Sequence, residues 1–203
     1  VVDLNRELVR LGIESVVISA GGRHAAQIAL DGGRHVVFDV VSKNLLTAPS
    51  RVLQLRKLLR QLKPDILHAR SRVPAWLSFL ANRSIGIPFV TRVHGFNSVN
   101  AYSRVMTFGD RVICVSRSIK EYIQQYYAVP EEKTVVIPRG IDLELFNPDN
   151  IDRNFIEDFK QKYQLEDKLI ISSVGRITQL KDYETFIRGV VLAKETLPAV
   201  VGL

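Results

Sequence analysis

Short runs of β-branched and apolar residues alternate with helical patterns along nearly the whole chain, and this alternation limits the folds open to it. The runs occupy 15–20, 34–41, 65–69, 88–93, 111–115, 133–138 and 169–174. Most are apolar on both faces, as strands are when helices cover both sides of a parallel sheet. Helical spacing fills the gaps: 1–11, 50–63, 75–83, a short piece at 102–108, then 116 or 118 to 126, 152–163 and 183–196. The expectation is an α/β, Rossmann-like, doubly wound parallel sheet. No repeat of 20 to 50 residues interrupts it.

Local signals sharpen this outline. Pro49 and Ser50 open an amphipathic helix with Val52, Leu55, Leu58, Leu59 and Leu62 on one side. Arg51, Arg56, Lys57, Arg60 and Lys63 are expected on its outer face. Ser118-Ile-Lys-Glu121 fits a capping box. Asp, Asn and Pro gather between 142 and 150, which places a domain boundary near Pro148: a first domain over 1–148 and the start of a second over 149–203. The chain opens inside a helix pattern with no strand feeding it, so a first strand is expected to precede Val1.

An apolar share of 46% suffices for a packed core. No apolar run approaches the ~20 residues that span a bilayer. The lone Cys114 lies in an apolar strand and excludes both a disulfide framework and a cysteine zinc site; an inert buried thiol is expected. The net charge of +7 is concentrated in residues 1–150, with 20 Lys and Arg against 13 Asp and Glu. Such an excess faces anionic partners or solvent. The cations are scattered without an aromatic stacking motif, so nucleic acid is not an expected partner.

The stretch from Leu169 to Asp182 reads as strand, basic loop and helix, the arrangement in which α/β sheets hold anions. It is not a Walker loop, because Leu180 and Asp182 stand where Gly and Ser or Thr are required. Nor is it a dinucleotide loop, since Ile177 and Leu180 add bulk where the backbone must approach a pyrophosphate. Two readings remain: Arg176 and Lys181 clamp a phosphate through their side chains, or they are surface cations in a polar turn. His68, Arg70 and Arg72 end another strand, and His94 another. Binding residues and solvated loop residues are both open there.

Three ordered motifs supply a resemblance. Val174-Gly-Arg-Ile-Thr-Gln-Leu-Lys-Asp182 resembles the V-G-R-L-x-x-x-K-G segment of the retaining glycosyltransferases of family 4 (group 1, GT-B fold). Val115-Ser116 with its following helix resembles their V-S-x-x-x-x-x-x-L, and Val136 to Pro148 their V-I-P-N-G-V-D-x-x-x-F-x-P, with Arg139 in place of Asn. The resemblance implies a GT-B N-terminal domain followed by the first βα unit of a second Rossmann-like domain. It implies sugar transfer, with retention, from a UDP- or GDP-sugar to a glycan or lipid-linked acceptor in lipopolysaccharide or other envelope glycan synthesis. A non-catalytic nucleotide- or phosphate-binding module is the alternative.

By the same resemblance, Gly175, Arg176 and Lys181 bind the donor, Arg176 and Lys181 stabilise the leaving diphosphate, and His94 acts at the reacting sugar. His68, Arg70 and Arg72 are expected on the acceptor side. No cofactor or metal is expected, the sequence having no D-x-D. The expected location is cytoplasmic, peripheral at the inner face of the cytoplasmic membrane through the basic first domain. The family's glycine-rich loop would precede Val1 and its E-x7-E segment would follow Leu203, which implies a chain inactive by itself.

Overall fold

A computed structural model describes all 203 residues. The chain divides into two compact units, Val1–Gly140 and Ile141–Leu203. The Asp-, Asn- and Pro-bearing segment therefore belongs to the second unit, where Asp142 Oδ1 accepts from the backbone N–H groups of Glu144 and Leu145 at 3.1 Å. That is an Asx turn.

In the first unit, α1 (Val2–Arg10) leads to β1 (Val16–Ser19), α2 (Ala25–Leu30) and β2 (Arg34–Val37). Strands β1 and β2 pair in parallel. Beyond Ser19 the chain swings away through Gly21 and Gly22, both at positive φ, so β2 loses its partner after Phe38 and the expected strand to 41 is cut short. Helix α2 escaped the sequence reading because it has one buried residue, Ile28, and no side-chain cap. A single apolar contact leaves no periodicity to read.

Helix α3 (Ala48–Leu62) begins with Pro49 in its first turn and stops at Lys63, which adopts the left-handed conformation before Pro64. Its buried Val52, Leu55 and Leu59 pack against Leu77 and Ala81 of α4 (Arg72–Asn82). Two of its five cations are not on an outer face. Arg51 is buried and donates to the carbonyls of Ser42 and Asn44 at 2.9 Å. Arg56 reaches the carbonyls of Leu80 and Ala81 at 3.2 Å and so satisfies the end of α4. Only Lys57, Arg60 and Lys63 point to solvent.

Strands β3 (Leu67–Ala69), β4 (Phe89–Val93), β5 (Arg111–Cys114) and β6 (Thr134–Val136) form a parallel sheet in that order. Phe89 and Val93 of β4 share one core with Val112, Cys114 and the helix residues Ala75, Ile119 and Ile123. The fully buried Thr91 donates its hydroxyl to the Met106 carbonyl at 2.7 Å, which ties β4 to the 3-10 turn Val105–Thr107 after α5 (Ala101–Arg104). Helix α6 (Arg117–Tyr127) is capped by Ser116, whose hydroxyl accepts from Ile119 N–H at 3.2 Å. The expected capping box at Ser118 does not form: β5 delivers an extended Ser116, and Ser118 already lies in the first turn.

The second unit holds α7 (Arg153–Lys162), β7 (Leu169–Ile171), α8 (Tyr183–Thr196) and β8 (Val200–Gly202). Asp152 caps α7 through Phe155 N–H at 3.2 Å. Strands β7 and β8 are parallel with α8 as their crossover, a βαβ unit. The two units thus carry three parallel sheets and helical connections, a Rossmann-like α/β fold in which every paired strand runs the same way as its neighbour.

Gly33, between α2 and β2, is fixed by close packing: a Cβ there would lie 2.0 Å from Oδ1 of the buried Asn5, which itself donates to the Ile28 carbonyl at 3.2 Å. Gly33→Ala is expected to cost ~1–3 kcal/mol by displacing Asn5. Gly95→Ala, where a Cβ meets nothing within 4 Å, should stay within about 0.5 kcal/mol of wild type. Urea unfolding of the two variants measures the difference.

Candidate functional site

Parallel pairing brings the carboxyl ends of β3, β4 and β6 to one edge of the first unit. The register sets His68 opposite Val90, and Arg92 opposite Ile113, so alternation places His68, Arg70, Arg92 and His94 on one face of that edge. Arg139 follows β6 at the same edge. This is where α/β sheets bind ligands.

Arg92 is the deepest of these groups, at 9% exposure. It reaches past β5 to the end of β6, where its Nη2 donates to the Ile137 and Pro138 carbonyls at 3.1 and 3.3 Å. Its Nε is buried without a partner, as is Nε2 of His68. No carboxylate lies within ion-pair distance of Arg70, Arg92 or Arg139. The edge therefore concentrates positive charge with little compensation.

The two histidines respond to this environment. Burial pushes His68 down to about 4, with Arg70, Arg92 and His94 adding to the effect. Burial likewise lowers His94 to about 4, followed by the charges of Arg70, Arg92 and Arg139. Arg70 is itself lowered by burial and by Arg92 and Arg139, with Asp3 opposing. Both imidazoles are thus neutral at pH 7, each with one N–H to donate and one nitrogen to accept. They suit hydrogen bonding to hydroxyls, while the arginines suit anions.

The loop that carries His94 is held from α6. The Tyr122 hydroxyl donates to the Asn97 carbonyl, the Tyr127 hydroxyl to the Ser98 carbonyl at 3.2 Å, and Phe96 meets the Tyr122 ring edge-on at 5.1 Å. These contacts fix the turn leaving β4.

The sequence-derived candidates are only partly brought together. His68, Arg70 and His94 share the edge. Arg72 does not join them: it enters α4, donates to the Ser103 hydroxyl at 3.3 Å and lies over the Tyr102 ring at 5.2 Å, a packing role. Arg92 is a member that sequence reasoning missed, although a cation inside the apolar run 88–93 was a readable signal. Cys114 is fully buried and its thiol is pushed up to about 11 by that burial, so it is unreactive near neutrality.

In the second unit, Arg176 and Lys181 flank the segment between β7 and α8, both exposed. The strand ends at Ile171, with Ser173 N–H still reaching the Leu203 carbonyl at 2.8 Å. Lys181 closes a 3-10 turn, Gln179–Lys181, and Asp182 at positive φ caps α8 through Thr185 N–H at 3.3 Å. A Cβ on Gly175 would meet the Tyr183 hydroxyl at 3.2 Å and the Lys181 side chain at 3.9 Å. The close neighbour of the glycine is thus the Tyr183 hydroxyl, while the lysine stem lies at ordinary contact distance. Nowhere do three or more His, Cys, Asp or Glu side chains gather to hold a metal ion.

The family described as Glycosyltransferase Family 4 matches residues 1–145. A UDP-Gal:alpha-D-GlcNAc-diphosphoundecaprenol alpha-1,3-galactosyltransferase of Escherichia coli is 34% identical over 118 residues, which cover 52% of this chain and 30% of that protein. A glycosyltransferase from Rickettsia africae superposes with a TM-score of 0.77 at 22% identity, over 100% of this chain and 62% of its own. Anabaena Alr3699/HepE, solved with UDP and glucose, superposes with a TM-score of 0.75 at 16% identity, over 99% of this chain and 55% of its own. The chain spans less than two thirds of the length of each of these proteins.

Because the folded chain keeps His68 and His94 neutral while the unfolded chain protonates them below about 6.5, unfolding takes up protons and stability should fall as pH drops from about 6.5 toward 4. Ring-proton NMR titration checks this directly. Both midpoints are expected well below 6, and midpoints at the ordinary value would contradict the buried, cation-flanked placement.

Proposed function

Since the chain belongs to Glycosyltransferase Family 4, we propose that it forms the acceptor-side domain and the beginning of the donor-side domain of an enzyme that moves a sugar from a nucleotide-sugar to an acceptor, with retention of anomeric configuration. The family match over residues 1–145 is the observation that carries this reading. The Escherichia coli relative uses a UDP-sugar and a diphospholipid-linked acceptor, which supports a UDP-sugar donor and an envelope glycan acceptor here. No observation favours a non-catalytic phosphate-binding module.

In this reading the donor diphosphate lies against Arg176 and Lys181. Negative charge grows on the departing phosphate as the glycosidic bond breaks, and two cations stabilise that charge more in the transition state than in the bound substrate. The Arg176 fork binds phosphate oxygens in pairs, and the Lys181 ammonium adds a movable point charge. His94, neutral and held at the end of β4, donates or accepts at a sugar hydroxyl and does not serve as nucleophile. No metal is invoked, because the cations of this loop supply the positive charge.

The first unit also offers a surface for a lipid-linked acceptor. Leu53, Lys57 and Arg60 follow one another on one exposed side of α3 at i, i+4 and i+7, and the preceding Leu45 and Leu46 are 84% and 92% exposed. Apolar tips flanked by cations suit the interface of an anionic bilayer. No helix is long and apolar enough to cross a membrane, and the proposed location is peripheral, at the cytoplasmic face.

For the full-length gene product, Arg176→Ala and Lys181→Ala should each lower turnover ~10²–10³-fold. Wild-type rates in both would remove the donor-clamp assignment. Co-sedimentation with anionic vesicles should weaken in Lys57→Glu/Arg60→Glu and disappear with neutral lipid. Binding that ignores both lipid charge and these substitutions would remove the membrane contact.

A further inference from the structure

The arginines at the edge of the first unit are not explained by a sugar acceptor alone. A hydroxylated sugar needs neutral donors and acceptors, which His68 and His94 provide. Three guanidinium groups on the same edge call for an anion. Arg139 is exposed, Arg70 half-buried and Arg92 nine-tenths buried, so positive charge extends from solvent into the sheet edge. A buried cation persists when it is paired or richly hydrogen-bonded. Arg92 has two carbonyl acceptors on one nitrogen, no carboxylate, and an unpartnered Nε. Asp3, the acidic group that acts on Arg70, is itself 3.7 Å from Arg6. Protein carboxylates therefore leave most of the charge unanswered.

We propose that this edge is a subsite for a diphosphate ester on the acceptor, with Arg70, Arg92 and Arg139 holding phosphate oxygens beside His68 and His94. Planar forks bind phosphate oxygens two at a time, and three of them match a group with several oxygens better than a single carboxylate. The anion site stands on the geometry of the first unit. Its assignment to the acceptor rests on the proposed glycosyl transfer, in which the donor diphosphate has its own cations, Arg176 and Lys181, in the second unit. A diphosphate here would hold the reducing end of a lipid-linked glycan, leaving the sugar hydroxyls to the neutral imidazoles.

The test is calorimetric titration of the 203-residue chain with inorganic diphosphate, farnesyl diphosphate and UDP, repeated on Arg70→Gln, Arg139→Gln and Arg176→Ala/Lys181→Ala. Thermal unfolding confirms that each variant is folded, and the two single variants change groups that are not fully buried. Inorganic and farnesyl diphosphate are expected to bind wild type and to weaken ~10–100-fold in Arg70→Gln and Arg139→Gln, with no change in Arg176→Ala/Lys181→Ala. UDP should show the reverse. Bound farnesyl diphosphate should raise the titration midpoint of His94 and the unfolding temperature together, whereas loss of structure would raise the midpoint and lower that temperature. The proposal is overturned if farnesyl diphosphate fails to bind at millimolar concentration, if its binding ignores Arg70 and Arg139, or if UDP takes the same site with equal affinity. Farnesyl diphosphate binding as expected while UDP does not bind at all supports the subsite and counts against the donor assignment alone.

Discussion

The parallel hydrogen bonding of β3, β4, β5 and β6 is the constraint on which the first unit depends. Parallel strands all end at the same edge, and a one-residue slip would turn every side chain to the opposite face. With the register as it stands, Phe89, Thr91 and Val93 enter the core, and Val90, Arg92 and His94 face the other way. Thr91 holds that register through the Met106 carbonyl, and Arg92 links the ends of β4 and β6 through two backbone acceptors. The same sheet geometry that buries the core thus gathers cations and imidazoles at the carboxyl edge. Structure and chemistry share one set of strands.

That edge carries two kinds of polar group. Imidazoles held neutral by burial and by neighbouring arginines remain able to both donate and accept hydrogen bonds at physiological pH. No carboxylate lies within ion-pair distance of the arginines. Sugars and phosphates are bound by different physics, and both sets of groups are present within one cluster. In the second unit the arrangement is simpler: one strand, one turn and one helix expose Arg176 and Lys181 with no carboxylate fixed to either.

Much of this was legible in the chain. Alternation of apolar strands and helical spacing revealed the parallel α/β class, and α8 begins and ends where its pattern does. Strand ends were less readable, because length is decided by the partner: the run 34–41 stops pairing where β1 turns off at Gly21, and the run 169–174 where β8 ends. Helix α2 has too few buried residues to leave a period. The cations of α3 were misassigned because amphipathic spacing cannot show that Arg51 and Arg56 are drawn inward by free carbonyls of neighbouring segments. At the site, His68, Arg70 and His94 could be found as polar residues at strand ends. Arg92 could not be placed without the register, and the strand-end position of Arg72 does not show that its side chain turns to Ser103 and Tyr102.

The central proposal is sugar transfer with retention of anomeric configuration. Its most direct test is the anomeric configuration of the product, read by NMR, when the full-length gene product is given α-linked UDP-sugars and a lipid-diphosphate-linked acceptor. An α-glycosidic product is predicted. A β-linked product would contradict the account.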